Sequence, residues 1–216
     1  MNGVKEAIEF YFAATSLKEL IRRGQLMWKV NNERKEDVAD HIFGAQILAI
    51  SLKNNLNLDL NLSCVLEMLV VHELEEIKIG DFTLYDNVSK EQKIAMGSEF
   101  VSNLLTKLNN KEYYQNMIDD FNTLSSKEAK FAKAIDKLEN VLEFKKYADA
   151  GQVNLSCATK EMLEEKRVKQ ILADGISTFD DLWFFYHLPN YEYIGITEEV
   201  WKDVIKPINS NPPKND

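Results

Sequence analysis

Residues 69–81 of this 216-residue chain read LVVHELEEIKIGD. The segment begins like the apolar interior of a helix and ends at Gly80 and Asp81, with His72 and three glutamates in between. Acidic side chains are rarely buried unless they are paired with a cation or bound to a metal ion. The segment therefore predicts part of a divalent-metal site, whose other ligands must come from elsewhere in the chain.

The composition is that of an ordinary globular protein. Hydrophobic residues make up 45% of the chain and charged residues 28%, which is enough apolar material for a sizeable core. The formal net charge of −9 argues against a partner that is a nucleic-acid polymer or an anionic membrane, because such surfaces need clustered Lys and Arg. A small phosphorylated substrate is compatible with this charge, since one pocket can be basic or carry a metal.

The sequence also indicates a compartment. The first twenty residues, MNGVKEAIEFYFAATSLKEL, lack the uncharged stretch and small-residue cleavage site of a signal peptide. No run approaches the 18 or more apolar residues of a membrane span. Cys64 and Cys157 fit neither a disulfide framework nor a zinc motif. We expect a cytoplasmic protein.

Apolar periodicity near 3.6 residues, together with capping signals, predicts helices along the whole chain. Asp37, Ser63 and Ser89 are predicted N-caps, and a capping box is predicted over 125–128. No strand pattern and no internal repeat is found, so the fold class is all-α in a single domain. Residues 209–216 are expected to form a disordered tail. The predicted helices are 7–22, 37–53, 64–78, 89–108, 111–121, 125–149, 160–172, 179–187 and 197–206.

Metal-competent side chains occur in an apolar context on three of these helices. They are His41, His72 with Glu73, and Asp136. On a continuous helix His72 and Glu76, four residues apart, share a face. Two imidazoles and two carboxylates form a nitrogen and oxygen site that suits one ion of Mn, Co, Fe, Ni or Zn.

Two other kinds of metal site are excluded. HELEE is similar to the zinc-protease motif HExxH, but Glu76 stands where the second histidine is required. A two-metal site with four or more histidines is excluded because the chain has three, of which His187 lies in an aromatic run. That run, residues 183–193, is interpreted as core or subunit contact.

Three segments resemble the H…HD…D pattern of the HD-domain metal-dependent phosphohydrolases, and in detail their 5′-deoxynucleotidase branch. EDVADH at 36–41 is similar to that branch's E-[NS]-V-[SA]-[ED]-H, and VHELEEIKIGD at 71–81 to its V-H-D-x-x-E-x-x-x-G-D. EAKFAKAIDKLE at 128–139 is similar to its E-A-K-x-x-K-x-x-D-x-x-E. The resemblance implies an HD-domain-like helical bundle over 1–208, with a core at about 15–150 and a C-terminal helical extension at 151–208.

The resemblance also implies an activity and roles. Enzymes of this branch are usually homodimers that remove phosphate from deoxynucleoside 5′-monophosphates with one divalent metal ion. A metal acidifies its bound water and neutralises phosphoryl oxygens, and a nearby carboxylate can move the proton. Carried over by position, the metal ligands are His41, His72, Glu73 and Asp136, the general acid/base is Glu76, the residue that orients water or substrate is Asp81, and the phosphate contact is Arg23.

The chain departs from the family pattern at a ligand position. Glu73 replaces the aspartate of the HD pair, and its extra methylene moves the carboxylate by roughly 1.5 Å. Gly24-Gln25 follows Arg23 where bacterial relatives have a bulky aromatic residue, and Ile94-Ala95 stands where relatives often have arginines. Glu73 therefore motivates an alternative of another class, a catalytically weak or silent HD-fold dimer that binds a metal, nucleotide or protein partner.

Each role has a structural alternative. The alternative for His41 is a hydrogen-bonded core histidine. Glu76 is compatible with a salt bridge to a lysine such as Lys133 or Lys137, Asp81 with a loop cap after Gly80, and Arg23 with a solvated helix end. Glu75 is expected to be solvated. A purely helical dimerisation module is a third function hypothesis.

Overall fold

Helices carry the fold in this computed structural model, which describes residues 2–210. Within that range no β-strand occurs, and an isolated bridge pairs Ile21 with Asp37. The predicted all-α class is confirmed. In chain order the helices are α1 (Asn2–Thr15), α2 (Arg23–Met27), α3 (Val38–Asn55), α4 (Leu62–Val71), α5 (Glu76–Ile79), α6 (Lys90–Leu105), α7 (Lys111–Thr123), α8 (Lys127–Asp149), α9 (Lys160–Leu163), α10 (Lys166–Ala173), α11 (Phe179–His187) and α12 (Glu198–Val200), which a π-helical turn over Trp201–Ile205 follows.

The chain forms two compact units. Among the described residues, the first unit takes those up to Arg23 and then Lys35–Lys133, and the second takes Gly24–Arg34 and those from Ala134 onward. Helix α8 begins in the first unit and continues in the second. The predicted single domain, with a core at 15–150 and an extension at 151–208, stays a prediction.

Capping interactions set the start and the register of α3 in the first unit. Asp37 Oδ1 accepts a hydrogen bond from the Asp40 backbone N–H at 2.9 Å, and Asp40 Oδ2 accepts one from the Asp37 N–H at 3.2 Å. This capping box confirms the predicted start of the helix. It directs inward a stripe of residues spaced three or four apart, namely Val38, His41, Ala45 and Ala49.

Aromatic side chains dominate the core of the second unit. Trp28 meets Phe179 edge to face with ring centroids 4.7 Å apart. Trp183 stacks on His187 at 6.0 Å, and Phe184 is buried. The aromatic run after residue 183 therefore contributes packing, as the core interpretation expects.

Several predicted helices differ from the observed ones outside the site. The helix predicted over 160–172 is observed as α9 and α10, and the one predicted over 197–206 as α12 and the π-helical turn. The helix predicted over 7–22 is observed as α1, which ends at Thr15, followed by a 3-10 turn over Ser16–Glu19. Ile8 and Phe12, whose spacing contributes to the apolar periodicity of this segment, are 49% and 67% exposed. Periodicity alone does not reveal whether an apolar stripe has a partner to pack against, so it gave a helix that was too long at its C-terminal end.

The capping box predicted for α8 is also altered. Ser126 Oγ, rather than Ser125, accepts from the Ala129 N–H at 3.0 Å, and the Glu128 side chain instead accepts from the Asn61 N–H. Among residues 2–210, no helix combines the length and the apolar character that crossing a bilayer requires. The predicted tail at 209–216 lies, from residue 211 on, outside the described residues.

Candidate metal centre

The histidine-glutamate pair lies in a tight turn and not in a continuous helix. Helix α4 ends at Val71 and α5 begins at Glu76, so the helix predicted over 64–78 is wrong in its second half. Its start is also earlier, because Asn61 caps it in place of Ser63. The His72 ring hydrogen-bonds the Leu69 carbonyl at 2.9 Å, the group to which Glu73 N–H would donate in a continued α-helix.

The turn changes which side chains share a face. The Glu76 N–H donates to the Glu73 carbonyl at 3.0 Å, a bond between residues three apart. Side chains three residues apart eclipse in such 3-10 geometry, whereas His72 and Glu76 share a face only on a continuous α-helix. The turn therefore places the side chains of Glu73 and Glu76 on the same side of this segment.

Two imidazoles and one carboxylate converge in the first unit. His41 is fully buried, and His72 and Glu73 are each 8% exposed. The Glu73 Oε1 atom lies 3.3 Å from His72 Nε2 and 4.0 Å from His41 Nε2. The bond from His72 Nδ1 to a backbone carbonyl assigns the proton to Nδ1 and leaves the Nε2 lone pair directed at the cluster.

These distances fit a shared cation. Ligand atoms about 2.0–2.2 Å from one ion lie about 3 Å apart at octahedral angles and about 3.4 Å apart at tetrahedral angles. One ligand atom from each of His41, His72 and Glu73 lies within 4.8 Å of the others. The Nε2 lone pair of His72 faces the Glu73 carboxylate, and a positive charge between them, such as a divalent ion supplies, relieves their repulsion. Glu73 has one methylene more than the aspartate of the family pattern, and its carboxylate still lies near both imidazoles.

Asp136, the fourth predicted ligand, belongs to the second unit. It lies on α8 and is 3% exposed, as an inward-facing aspartate in an apolar stripe is expected to be. Its Oδ2 atom is 3.2 Å from Lys137 Nζ. Burial of this carboxylate agrees with a ligand role, and the role itself stays a prediction.

Glu76 is a buried carboxylate held at one oxygen. The residue is 2% exposed, and its Oε1 atom accepts a hydrogen bond from Lys93 Nζ at 2.7 Å. Its Oε2 atom is buried and has no hydrogen-bond partner among the described residues. Burial raises the pKa of this carboxyl well above its ordinary value of 4.5, Glu73 raises it further, and Lys93 opposes the rise. The salt-bridge partner is thus Lys93, and not Lys133 or Lys137.

The predicted site residues Asp81 and Arg23 are hydrogen-bonded to each other. Asp81 Oδ2 accepts a hydrogen bond from the Arg23 backbone N–H at 2.7 Å. The Arg23 guanidinium forms a salt bridge with Asp86 and is 49% exposed. Asp81 follows Gly80, whose φ of 84° permits the turn after α5.

The neighbouring arginine has a different environment. Arg22 is partly buried, and burial by itself would lower its pKa. The carboxylates of Asp81, Glu36, Glu73 and Glu76 outweigh that effect and raise it. Arg22 is therefore the arginine whose charge is stabilised by the acidic cluster, while the Arg23 guanidinium pairs with Asp86 outside it.

Sequence reasoning missed two cationic residues and misjudged one acidic residue. Lys93 and Arg22 carried no motif signal, although Arg22 is adjacent to the predicted Arg23 in the chain. Glu75, expected to be solvated, is only 17% exposed in its side chain and lies 3.5 Å from Lys93 Nζ. The surroundings of all three residues depend on how separate helices pack together, and spacing along the chain does not reveal that packing.

Comparison with known proteins gives a consistent result. The model of the HD domain family matches residues 14–178. The human protein named 5′-deoxynucleotidase HDDC2 is 32% identical over 153 residues, which cover 68% of this chain and 71% of the human one. The protein named 5′-deoxynucleotidase hdd1 from Schizosaccharomyces pombe is 30% identical over 195 residues, covering 85% of this chain and 96% of its own.

A solved structure shares the fold. It is a predicted metal-dependent phosphohydrolase from Magnetospirillum magnetotacticum, which superposes with a TM-score of 0.61 over 90% of this chain and 96% of its own. Sequence identity between the two is 18%, so this likeness supports the fold alone.

Proposed function

The chain belongs to the HD-domain family, and from that premise we propose that it is a metal-dependent phosphohydrolase of deoxynucleoside 5′-monophosphates. The three sequence segments that suggested the family are consistent with the family match. The observation that carries the proposal is the convergence of two buried imidazole Nε2 atoms on one Glu73 carboxylate oxygen. The names of the two curated relatives support the substrate class.

His41, His72, Glu73 and Asp136 are the proposed ligands of one divalent ion. Their nitrogen and oxygen donors suit Mn, Co, Fe, Ni or Zn. Such an ion, when bound, supplies an acidified water and neutralises charge on the phosphoryl oxygens. The donors of His41, His72 and Glu73 satisfy the distance requirement within the first unit, and burial supports Asp136.

Glu76 is proposed to move the proton. Its Oε2 atom takes a proton from the attacking water and returns it to the 5′-oxygen as the phosphorus–oxygen bond breaks. A carboxyl with a raised pKa suits this exchange, because proton transfer is most efficient when the pKa lies near the working pH. Asp81 is proposed to orient the water or the substrate.

An arginine is proposed to hold the phosphate. The sequence assigns this role to Arg23, which must then exchange Asp86 for the phosphate, since its guanidinium is engaged there. Arg22 is the competing candidate, because it is surrounded by the carboxylates of the cluster. Either guanidinium can grip a phosphate through two parallel hydrogen bonds.

The activity is tested with purified, Mn- or Co-loaded protein and a panel of deoxynucleoside and ribonucleoside monophosphates. We expect phosphate release from deoxynucleoside 5′-monophosphates and loss of metal in His72→Ala. The absence of phosphate release with every metal, together with unaltered metal content in His72→Ala, overturns the proposal.

The departure at Glu73 favours a second candidate, a silent HD-fold protein that binds a metal, nucleotide or partner. The two candidates differ in Glu73→Asp. A silent protein should gain metal affinity or activity when the family aspartate is restored. In the enzyme that we propose, the shorter side chain withdraws the carboxylate from the two imidazoles, and activity falls.

We further propose a cytoplasmic homodimer. Both cysteines are unpaired, which agrees with a reducing compartment. On α3, Phe43, Ile47 and Ile50 form an apolar stripe at helical spacing and are 66%, 49% and 39% exposed. Light scattering coupled to gel filtration tests the dimer: Phe43→Asp should give monomers, while the polar control Lys53→Ala should not. Cell fractionation tests the compartment.

A further inference from the structure

We infer that Lys93 is a positioning residue for Glu76, and that Gly97 allows α6 to approach closely enough for Lys93 to reach it. The inference rests on the proposed function, because it assigns Glu76 the proton-transfer role. Neither residue belongs to the motif segments that indicate the family. Both lie on α6, outside the turn that carries the histidine-glutamate pair.

The two carboxylate oxygens of Glu76 have different environments. Lys93 Nζ donates to Oε1 at 2.7 Å, whereas Oε2 is buried without a hydrogen-bond partner in the described part of the chain. A glutamate has three rotatable side-chain torsions, and one strong charge-assisted bond at Oε1 restricts them. That restriction fixes the direction in which the other oxygen points. The amine therefore selects which oxygen is available to a reacting group.

Helix α6 lies close to Glu75 at Gly97. A Cβ added at Gly97 would lie 2.5 Å from Glu75 Cβ, so no residue but glycine fits there without a shift of the backbone. Gly97 lies one helical turn beyond Lys93, on the side of α6 that faces the turn carrying His72 and Glu73. The lysine, whose side chain is 23% exposed, spans the gap to Glu75 and Glu76 only because the helix comes this near.

Lys93 contributes more to Glu76 than a balancing charge. Arg22 already places a positive charge among the same carboxylates. Charge balance alone would be met by a cation anywhere in the cluster, whereas the Lys93 amine lies at one oxygen of Glu76. What Lys93 adds is a directed hydrogen bond to one named oxygen. By analogy with the groups that orient metal ligands, we expect loss of such a contact to lower the rate by roughly 10–100-fold.

The kinetic test compares Lys93→Met with the wild type and with Lys90→Met in metal-loaded, full-length protein. Lys90 lies one turn earlier on α6 and donates to the Asn122 backbone carbonyl, away from the site. For Lys93→Met we expect kcat to fall roughly 10–100-fold, with little change in KM and in metal content. Lys93→Arg should recover part of kcat, because a guanidinium can also donate to Oε1. Unchanged kcat in Lys93→Met, or an equal loss in Lys90→Met, overturns the inference.

Gly97→Ala gives a second, independent reading. It leaves Lys93 in place but pushes α6 away from Glu75, so kcat should fall while metal content is kept. Ser98→Ala, at the adjacent exposed position, is the matched control and should match the wild type. A fully active Gly97→Ala contradicts the spacing role.

A double-mutant cycle on thermal unfolding does not depend on activity. Removing one partner of a buried ion pair leaves the other uncompensated, so Lys93→Met should lower Tm by roughly 5 °C or more. The same change in a Glu76→Gln background should cost at most half as much. Equal losses in the two backgrounds show that Lys93 does not act through Glu76 and overturn the inference. If the wild type hydrolyses no nucleotide, the proposed function fails, and the cycle still decides whether Lys93 holds Glu76.

Discussion

A carboxylate in the second unit is held in the opposite way to Glu76 in the first. Asp181 accepts hydrogen bonds from Thr178 Oγ1 at 2.7 Å and Trp201 Nε1 at 2.8 Å, and it pairs with Lys206. Burial alone would raise the pKa of Asp181, but these three donors outweigh it and lower the pKa. The charged form is the stable one here.

Glu76 accepts a hydrogen bond from one side-chain donor, whereas Asp181 accepts hydrogen bonds from three. Lys93 binds a single oxygen, and Glu73 and Asp81 add negative charge nearby, so the pKa of Glu76 is raised. Both carboxylates are largely buried, and hydrogen bonding together with neighbouring charge decides the direction of the shift. A carboxylate saturated with donors stabilises its unit, whereas one with an open oxygen beside like charges is available for chemistry.

The sharpest test of this contrast removes an imidazole from the first unit. His72→Ala deletes an Nε2 atom that faces Glu73, and we expect loss of bound metal and a fall in activity of at least about 100-fold, because even indirect ligand contacts cost 10–100-fold. Elemental analysis and phosphate release measure the two effects. The control is His187→Ala in the aromatic core of the second unit, which should keep its metal.

Glu76→Gln tests the chemical half of the contrast. The amide keeps the shape but cannot accept a proton, so kcat should fall roughly 10²- to 10⁴-fold while metal content is retained. Steady-state kinetics and elemental analysis on the same preparation check this. Full activity in the variant would move the proton-transfer role away from Glu76.

Asp181→Asn tests the structural half. The change removes a charge that accepts three hydrogen bonds, and hydrogen bonds to charged groups contribute about 1.5–3 kcal/mol, discounted here because the side chain is partly exposed. We expect the free energy of unfolding to fall by about 1–2 kcal/mol, or Tm by roughly 2–8 °C, with kcat unchanged. Denaturation scans and kinetics together check it, and a large loss of kcat would contradict the contrast.

The smallest expected effect is a change in acid stability. Because the pKa of Asp181 is lower in the folded protein than its ordinary 3.8, its contribution is present above that value and is lost as pH falls through the folded pKa. Stability of the wild type should therefore decline more steeply below about pH 4 than stability of Asp181→Asn. Chemical denaturation between pH 2 and 6 measures the two slopes, and parallel slopes would argue against the assigned donors.

Local signals predicted the parts of the fold that depend on local interactions. The starts of α3 and α6 follow from the predicted N-caps Asp37 and Ser89, and both residues are observed as N-caps within capping boxes. Each needs only residues three apart, so it can be read from the chain. The C-terminal ends of α1 and α4 lie earlier in the chain than predicted. The end of α1 depends on what the helix packs against, and the end of α4 depends on the His72 side chain, which hydrogen-bonds a backbone carbonyl.

The candidate site divides in the same manner. The sequence by itself determined the helical class and the family, and it predicted His41, His72, Glu73, Glu76 and Asp136 as site residues, because residue types at set spacings carry that information. Only the tertiary structure decided that the chain turns at His72, that Lys93 binds one oxygen of Glu76, and that Arg22 rather than Arg23 lies among the carboxylates. These contacts join residues far apart in the chain, and their geometry depends on how closely the helices of the first unit pack.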